Sequence, residues 1–537
     1  MNVRVRDFYC ACLRVVLLVV LVFGAKPSGA QFRGVLTWHN DNARTGQNIF
    51  ETHLTPSNVH SAQFRKLCSY PVDGMVDAQP LYVPRVKVPA LGTHNIAYVA
   101  TESDSVYAFD ADCRSSGPLW HVSFINPAMG VISDGVFGIT GTPVISFETR
   151  TLYAVAKTIE MDPVSDVSEY VLRLHALDIR SGAEKPGSPI RIEAKFPGWG
   201  VGNDNHGHVV FNSYRQIQRA GLLLLRGRVY VSFAGHRDIN PYHGWLLGYD
   251  ATTLDQVAVY NDTPNGDKGG IWQSGAGPAA DAEGDIFLQT GNGKFDAQVG
   301  GVDFGDSLLR VNFLDGDLVL SDYFTPYNQA YLSANDLDLA SGGVLVLPRQ
   351  PGMHPYETVS AGKEGKIFVV DRTDMGKFNP AHNNQIVQTV LGSTGGYFSS
   401  PAYWQSRIYY AGVGDVLNLY TLSGGLLSTN PISSSTAFFP YPGLTPSVSA
   451  EGSKNGIVWA VENAPGQAVL HAYDATDLSR ELYNSNRAGS RDQAGPATTF
   501  SVPTIADGKV YIGTTTDFDI YGLCRDRASG DESAICR

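Results

Sequence analysis

Apolar residues in this chain fall into short β-type runs broken by turn residues, and almost nothing repeats with helical periodicity. One element recurs: a short apolar strand that opens on a proline. It reads Ala78-Gln79-Pro80-Leu81, Gly141-Thr142-Pro143-Val144 and Ala276-Gly277-Pro278-Ala279, then Ser399-Ser400-Pro401-Ala402, Leu444-Thr445-Pro446-Ser447 and Ser501-Val502-Pro503-Thr504. Proline is tolerated at the first residue of a strand, where its missing N–H does least harm. Two copies without proline, Leu222 to Leu225 and Val344 to Leu347, fill the gaps. After each opener comes a β-rich segment and a hairpin ending in a short acidic or amide turn. Examples are Val106 to Ala111, Leu174 to Asp178, Leu247 to Ala251, Phe368 to Arg372 and Leu470 to Ala475, with degenerate versions near Val311-Asn312 and Tyr420-Thr421. Asp or Asn there can hydrogen-bond the backbone that follows.

Eight copies between Pro80 and Pro503 give seven intervals over 423 residues, a mean near 60. A four-stranded blade takes roughly 40–50 residues plus loops, so the period predicts an all-β, eight-bladed β-propeller. The last copy ends at Tyr521 to Cys524 without an outer strand, while Phe64 to Val72 reads as a spare strand before the first opener. The N-terminal strand is therefore predicted to complete blade eight, which removes an exposed sheet edge. The expected organisation is a leader at 1–30, an extension at 31–63, the propeller at 64–524 and a tail at 525–537.

A length of 537 residues would suggest about three domains, but all-β architectures run long as single units. Arg4, Arg6 and Arg14 precede the apolar run Val15 to Phe23, and Ser28-Gly29-Ala30 offers small residues for cleavage. This is the pattern of a secretory signal peptide cut after Ala30, with the mature protein secreted or periplasmic and without a membrane span. The formal charge is −12, and the leader holds four basic residues and one acidic one, so the mature chain sits near −15. Such a surface repels nucleic acid and anionic lipid. Cys68, Cys113, Cys524 and Cys536 remain, an even number that allows two disulfides in three pairings. Closure of blade eight would bring Cys68 close to Cys524, and Cys524–Cys536 is the local alternative. No Cys-x-x-Cys-His attachment site for haem is present.

The hairpin pattern, clearest in Ala97 to Trp120, resembles the quinoprotein repeat, and the resemblance runs from Trp38 to about Leu523. The same repeat builds dehydrogenases that bind pyrroloquinoline quinone and scaffolds that catalyse nothing. The quinone of such dehydrogenases lies in the central funnel beside a calcium ion. Leu288 to Gly293 is similar to the segment whose Asn ligates calcium, which implies Asn292 as a metal ligand. Trp272 is similar to the tryptophan under the quinone. Asn335 to Leu339 is similar to the segment bearing the catalytic aspartate, which implies Asp338 as base and metal ligand, with Asp336 the neighbour open to confusion. Lys363 matches the basic residue that contacts the quinone. These types suit the chemistry: a carboxylate takes a proton, oxygen donors suit calcium, and an indole offers a flat surface.

Two departures stand out. The calcium-binding Glu of blade three has no counterpart in Gly235 to Asn240, where Asp238 substitutes only with a shift of register, and the adjacent-cysteine pair is missing. Each residue also has a structural reading: Asn292 as a turn former, Trp272 as blade packing, Asp336 and Asp338 as caps, and Lys363 as a hairpin tip. Asn203 to His208 reads as a loop, and Asp296, Asp303 and Asp306 as a solvated, mobile insertion. Two functions follow from the resemblance. One is a calcium-dependent quinoprotein that oxidises an alcohol or sugar and passes electrons to an external acceptor. The other is a non-catalytic scaffold for a protein partner in the cell envelope. A carbohydrate-binding or lyase propeller is the remaining possibility.

Overall fold

The computed structural model describes residues 34–162, 165–463 and 466–524. The leader, the C-terminal tail and Cys536 lie outside the described residues. Eight sheets of four main strands succeed one another in order, and the chain is an eight-bladed β-propeller. The first strand of each blade meets the first strand of at least one neighbour, so these are the inner strands. They are Leu81–Val88, Val144–Ser146, Leu223–Leu225, Ala279–Ala280, Val344–Val346, Ala402–Trp404, Ser447–Glu451 and Thr504–Ala506 for blades one to eight. Each of the eight openers read from the sequence stands at or just before one of them.

The acidic turns behave as their chemistry dictates. Asp110, Asp178, Asp250, Asp371 and Asp474 each end the third strand of a blade. In all five, the carboxylate accepts the backbone N–H two residues on, at 2.8–2.9 Å. Just past these turns, backbone carbonyls take hydroxyls from the preceding blade. Tyr98 donates to Ile179, Tyr409 to Ala475, and Tyr153 to Ala251. Between these polar staples lie apolar cores shared by adjacent blades. One joins Tyr153 and Leu174 of blade two to Val231 and Trp245 of blade three, and another joins Tyr409 and Leu419 of blade six to Val458 and Tyr473 of blade seven.

The ring closes as the sequence predicts. Phe64–Pro71 pairs antiparallel with Asp517–Leu523, Phe64 opposite Leu523, and becomes the outer strand of blade eight. The cysteines resolve one open pairing against the Cys68–Cys524 option: Cys68 is bonded to Cys113 of blade one, 45 residues away. The register explains this, because Cys68 faces Ile520 in the pairing while its side chain meets the turn that follows the third strand of blade one. Cys524 is also disulfide-bonded.

The segment before this strand does more than extend the fold. Val35 exchanges two backbone hydrogen bonds with Tyr82 of blade one, and Leu36 accepts from Ile145 of blade two. The Asn42 side chain donates to Leu224 of blade three, and its carbonyl accepts from Ala280 of blade four. Ala43, Thr45 and Gly46 accept in turn from Val346, Tyr403 and Val448 of blades five, six and seven. Asn48 then donates to Ile505 of blade eight. Fourteen residues thus visit all eight inner strands in order, as a strap around the axis. The bonded residues range from the second of an inner strand, as Tyr82 and Val448 are, to its last, as Ala280 and Val346 are, so the strap runs along the inner strands themselves.

Arg44 anchors the strap. It is fully buried, and its guanidinium donates to the carbonyls of Pro278 at 3.0 Å, Trp38 at 2.9 Å and Leu222 at 3.2 Å, and to the Thr37 hydroxyl at 2.7 Å. Burial pulls it down to about 9, partly offset by Asp41. His39, buried beside it, is pushed down to about 4 by desolvation and stays neutral. Gly46 must be glycine: its φ is +66°, and a Cβ there would stand 2.2 Å from the His39 ring. Removing the guanidinium leaves several buried carbonyls unpaired, each costing about 1–3 kcal/mol. Arg44→Ala is therefore expected to lower the unfolding free energy by roughly 3–5 kcal/mol. Denaturant titration followed by circular dichroism measures this, and a change below about 1 kcal/mol would contradict the strap's structural role.

Candidate functional site

The end of a second strand lies beside the start of its inner strand, so loops of both kinds share one face of the ring. Two blades bring the sequence-selected residues to that face. Trp272 precedes the inner strand of blade four, and Asn292 follows its second strand, Ile286–Gln289. Asp336 and Asp338 follow the short helix Gln329–Ala334 and precede the inner strand of blade five. Lys363 turns between that blade's Glu357–Ala361 and Lys366–Asp371.

All four meet. One carboxylate oxygen of Asp338 accepts the Asn292 backbone N–H at 2.8 Å, and the other lies 2.6 Å from Lys363 Nζ. Asp336 makes the parallel pair, accepting from Asn292 Nδ2 at 3.0 Å and meeting Lys363 Nζ at 3.1 Å. The two acids differ in setting: the Asp338 side chain is 10% exposed and that of Asp336 81%. The Lys363 N–H donates to the Asp338 carbonyl, which fixes the two loops to one another. Trp272 closes the group from the side of Gly291. A Cβ on that glycine would stand 2.4 Å from Asp338 Oδ1 and 2.9 Å from Trp272 Cδ1, so the indole and carboxylate approach only over bare backbone. Tyr242 packs edge-on against Trp272 at 5.9 Å.

Backbone strain gathers here. Gln273 and Ser274, directly after Trp272, are both left-handed (φ 46° and 47°), and so are Asp306 and Asp336 (φ 49° and 56°). Non-glycine residues held this way cost about 1–3 kcal/mol each and collect at functional sites. The Ser274 hydroxyl donates to the Ser341 carbonyl, which helps hold the Trp272 turn against blade five.

The charges are balanced around Lys363. Burial works to discharge its ammonium, and the adjoining Asp338 and Asp336 overcome that and hold it above the ordinary lysine value. Beneath them Asp306 is fully buried, and desolvation followed by the field of Asp338 pushes its carboxyl well up. It accepts the Leu339 N–H at 3.2 Å. Asp238 of blade three is within electrostatic reach: partial burial, then Asp338 and Asp336, raise it. Asp238, on the blade-three stretch that lacks the Glu, thus lies near the same group.

One atom lacks a partner. Asn292 Oδ1 is buried and accepts nothing. Among the described residues no three His, Cys, Asp or Glu side chains gather to hold a metal ion. The oxygens on offer are Asn292 Oδ1 and the Asp338 carboxylate, with Asp238 nearby. Calcium takes 6–8 oxygens, so this donor set suits a cation that a bound ligand helps to coordinate, and not a cage of protein atoms alone.

The structure corrects one reading and adds a second cluster. Asp303 and Asp306 are fully buried, so the Gly-rich loop after Asn292 is not a solvated insertion; Asp303 is ion-paired with Lys294 at 2.9 Å. The Asn203 to Gly207 stretch is a loop, as read, and His208 opens the strand His208–Val210, with Asp204 accepting the His206 and His208 backbone N–H groups. On blades one to three, buried ionisable groups escaped the sequence reading. Glu102 accepts from the Gly138 N–H at 2.7 Å and the Thr140 hydroxyl at 2.9 Å, and desolvation, then Asp77, push it up to about 8. Lys157 donates to the Gln216 carbonyl at 2.7 Å, and burial brings it down to about 7. His236 and Asp134 face each other at 3.7 Å. The signal for Lys157 was present in Thr151–Met161, where a lone lysine ends an apolar run.

No known protein family matches this chain, and no curated protein matches its sequence. Solved structures do. A quinohemoprotein alcohol dehydrogenase from Pseudomonas putida HK5 superposes with a TM-score of 0.58 at 12% identity, over 91% of this chain and 80% of that one. A europium-containing methanol dehydrogenase gives 0.58 at 11%, over 92% and 99%. BamB from Moraxella catarrhalis gives 0.50 at 13%, over 86% and 99%. The likeness is one of fold. The propeller matches both enzymes and BamB, so the ring itself does not decide between activities.

Glu102 offers a direct check on this electrostatic picture. Its folded value, about 8, lies above the ordinary glutamate value of 4.5, so its contribution to stability is full below 4.5 and is lost as pH rises toward 8. Glu102→Gln is expected to flatten that part of the profile. Unfolding free energies measured at pH 4.5, 6 and 8 should fall more steeply in the wild type; parallel profiles would refute the assignment.

Proposed function

We propose that this protein is an extracytoplasmic quinoprotein-type dehydrogenase that oxidises an alcohol or a sugar. The observation that carries the reading is the convergence of Asp338, Lys363 and Trp272 around the unpartnered Asn292 Oδ1. Pyrroloquinoline quinone with a calcium ion, when bound, would supply the two-electron acceptor. Asn292 Oδ1 and the Asp338 carboxylate would hold the cation, with Asp238 adding negative charge from blade three.

The chain's own residues do the rest. Asp338 is a carboxylate held in place by the Asn292 N–H and the Lys363 ammonium. It accepts the proton of the substrate hydroxyl, while the hydrogen on the adjacent carbon would leave with its electron pair for the bound two-electron acceptor. Lys363 stabilises negative charge that develops beside it. Trp272, braced by Tyr242, gives a flat face for a planar ligand. Without a haem attachment site, the electrons leave to a separate carrier. The leader pattern and the Cys68–Cys113 bond support an oxidising, extracytoplasmic setting. No helix among the described residues is long and apolar enough to cross a membrane.

The second reading is a non-catalytic scaffold of the cell envelope that binds a protein partner. The sparse acidic donor set favours it, since two carboxylates and one amide are a poor metal cage. Titration of the mature chain with quinone and calcium separates the two. The enzyme reading expects saturable binding, seen as tryptophan quenching and as heat. Asp338→Ala and Asn292→Ala should each weaken it at least 10-fold, with melting temperatures kept within a few degrees. No binding at high micromolar quinone would leave the scaffold.

A further inference from the structure

Arg219 lies between the second and third blades, just before the inner strand Leu223–Leu225. Its guanidinium carbon stands 4.2 Å from the Phe500 ring, and Phe500 precedes the inner strand of blade eight. The titratable groups within electrostatic reach of it are Tyr441, from the link between blades six and seven, Asp77, which precedes blade one, Glu102 of blade one and Asp238 of blade three. A side chain from the third blade reaches blades seven and eight only across the axis. Arg219 is therefore an axial residue on the same loop face as Asp338.

It is also a cation without a counter-ion. No ion pair and no hydrogen bond reaches its side chain among the described residues, and its Nε is buried with no partner. Of the acids near it, Glu102 is spent on the Gly138 N–H and the Thr140 hydroxyl, and Asp77 takes the Thr498 hydroxyl. The contrast with Lys363 is sharp. Lys363 is met by two carboxylates, and its Nζ lies 5.9 Å from the Phe398 ring. Phe398 packs edge-on against Tyr441 at 5.3 Å, and the Tyr441 hydroxyl is within electrostatic reach of Arg219. An aromatic wall thus runs from a neutralised cation to a free one. Burying an unpaired charge is expensive, and the expense is recovered when an anion arrives. Burial pulls the guanidinium below its ordinary value, which a bound anion would reverse.

We infer that Arg219 and Phe500 form an anion seat at the axis that takes the carboxylate of a small molecule, with the molecule's apolar part on Phe500 and the Tyr441–Phe398 wall. A guanidinium fork meets a carboxylate with two parallel hydrogen bonds, which a neutral alcohol cannot offer. The inference does not rest on the dehydrogenase reading, because the site needs neither quinone nor metal. The ligand class is a free small-molecule carboxylate.

Calorimetric titration of the mature chain with benzoate and with benzyl alcohol, with no quinone or calcium present, tests it. Benzoate is expected to bind at least 10-fold more tightly than benzyl alcohol. Arg219→Gln should abolish the difference, Arg219→Lys should restore part of it, and Phe500→Ala should weaken benzoate several-fold. Circular dichroism and melting curves check that the variants fold. Equal affinity for benzoate and benzyl alcohol, or an Arg219→Gln variant that binds benzoate like the wild type, would overturn the inference.

Discussion

A ring of sheets has two problems that a stack does not: its last sheet must meet its first, and its inner strands leave backbone groups facing the axis. This chain answers both with residues from its beginning. Phe64–Pro71 hydrogen-bonds to Asp517–Leu523 and removes the edge that blade eight would otherwise expose. Residues 35–48 then run past every inner strand in turn and satisfy polar groups on all eight blades. The Cys68–Cys113 bond ties the closing strand to blade one; in the chain-entropy model a loop of this length contributes about 4 kcal/mol. The loops that carry Trp272, Asn292, Asp338 and Lys363 hold their mutual distances only while that ring is shut, because they belong to different blades.

Closure also sets satisfied and unsatisfied groups side by side. In the strap, Arg44, His39 and Trp38 are all buried and hydrogen-bonded or packed. In the loops, side chains keep unmet demands: the Asn292 amide oxygen, the Asp134–His236 pair and the Arg219 guanidinium. Polar atoms buried without partners are scarce in native proteins and call for an explanation. Others are spread through the fold, the Asn40 amide of the strap among them, but Asn292 stands beside left-handed residues and paired charges, where a ligand would restore the missing bond.

The solved relatives of the fold include dehydrogenases and BamB, and the ring serves both. What differs between such uses is the chemistry of a few loops. Here the loops of blades four and five hold a compact acid–base group around Lys363, whereas those of blades one to three hold ionisable groups shifted by burial. The first group is built from charge pairing and the second from desolvation, so salt and pH act on them differently.

How much of this was legible in the sequence follows from the range of each interaction. The proline that opens an inner strand and the aspartate that ends a third strand act on backbone within about two residues, so their signals survive as a repeat that can be read directly. The closing strand was legible because the last blade lacked a partner. The strap was not: its hydrogen bonds go to eight separate places along the chain and impose no period on residues 35–48. Among the site residues, Asn292, Asp338, Trp272 and Lys363 could be chosen by their resemblance to known motifs, but their contact spans two blades and was decided by the ring. Glu102, Lys157 and Arg219 carry no motif, and the cysteine pairing was open among three choices. Residue type alone determined which groups can bear charge or bend the backbone; only closure of the propeller determined which of those charges are buried, which are paired and which stand alone, because burial and distance between separate blades are properties of the closed ring and of no local stretch of chain.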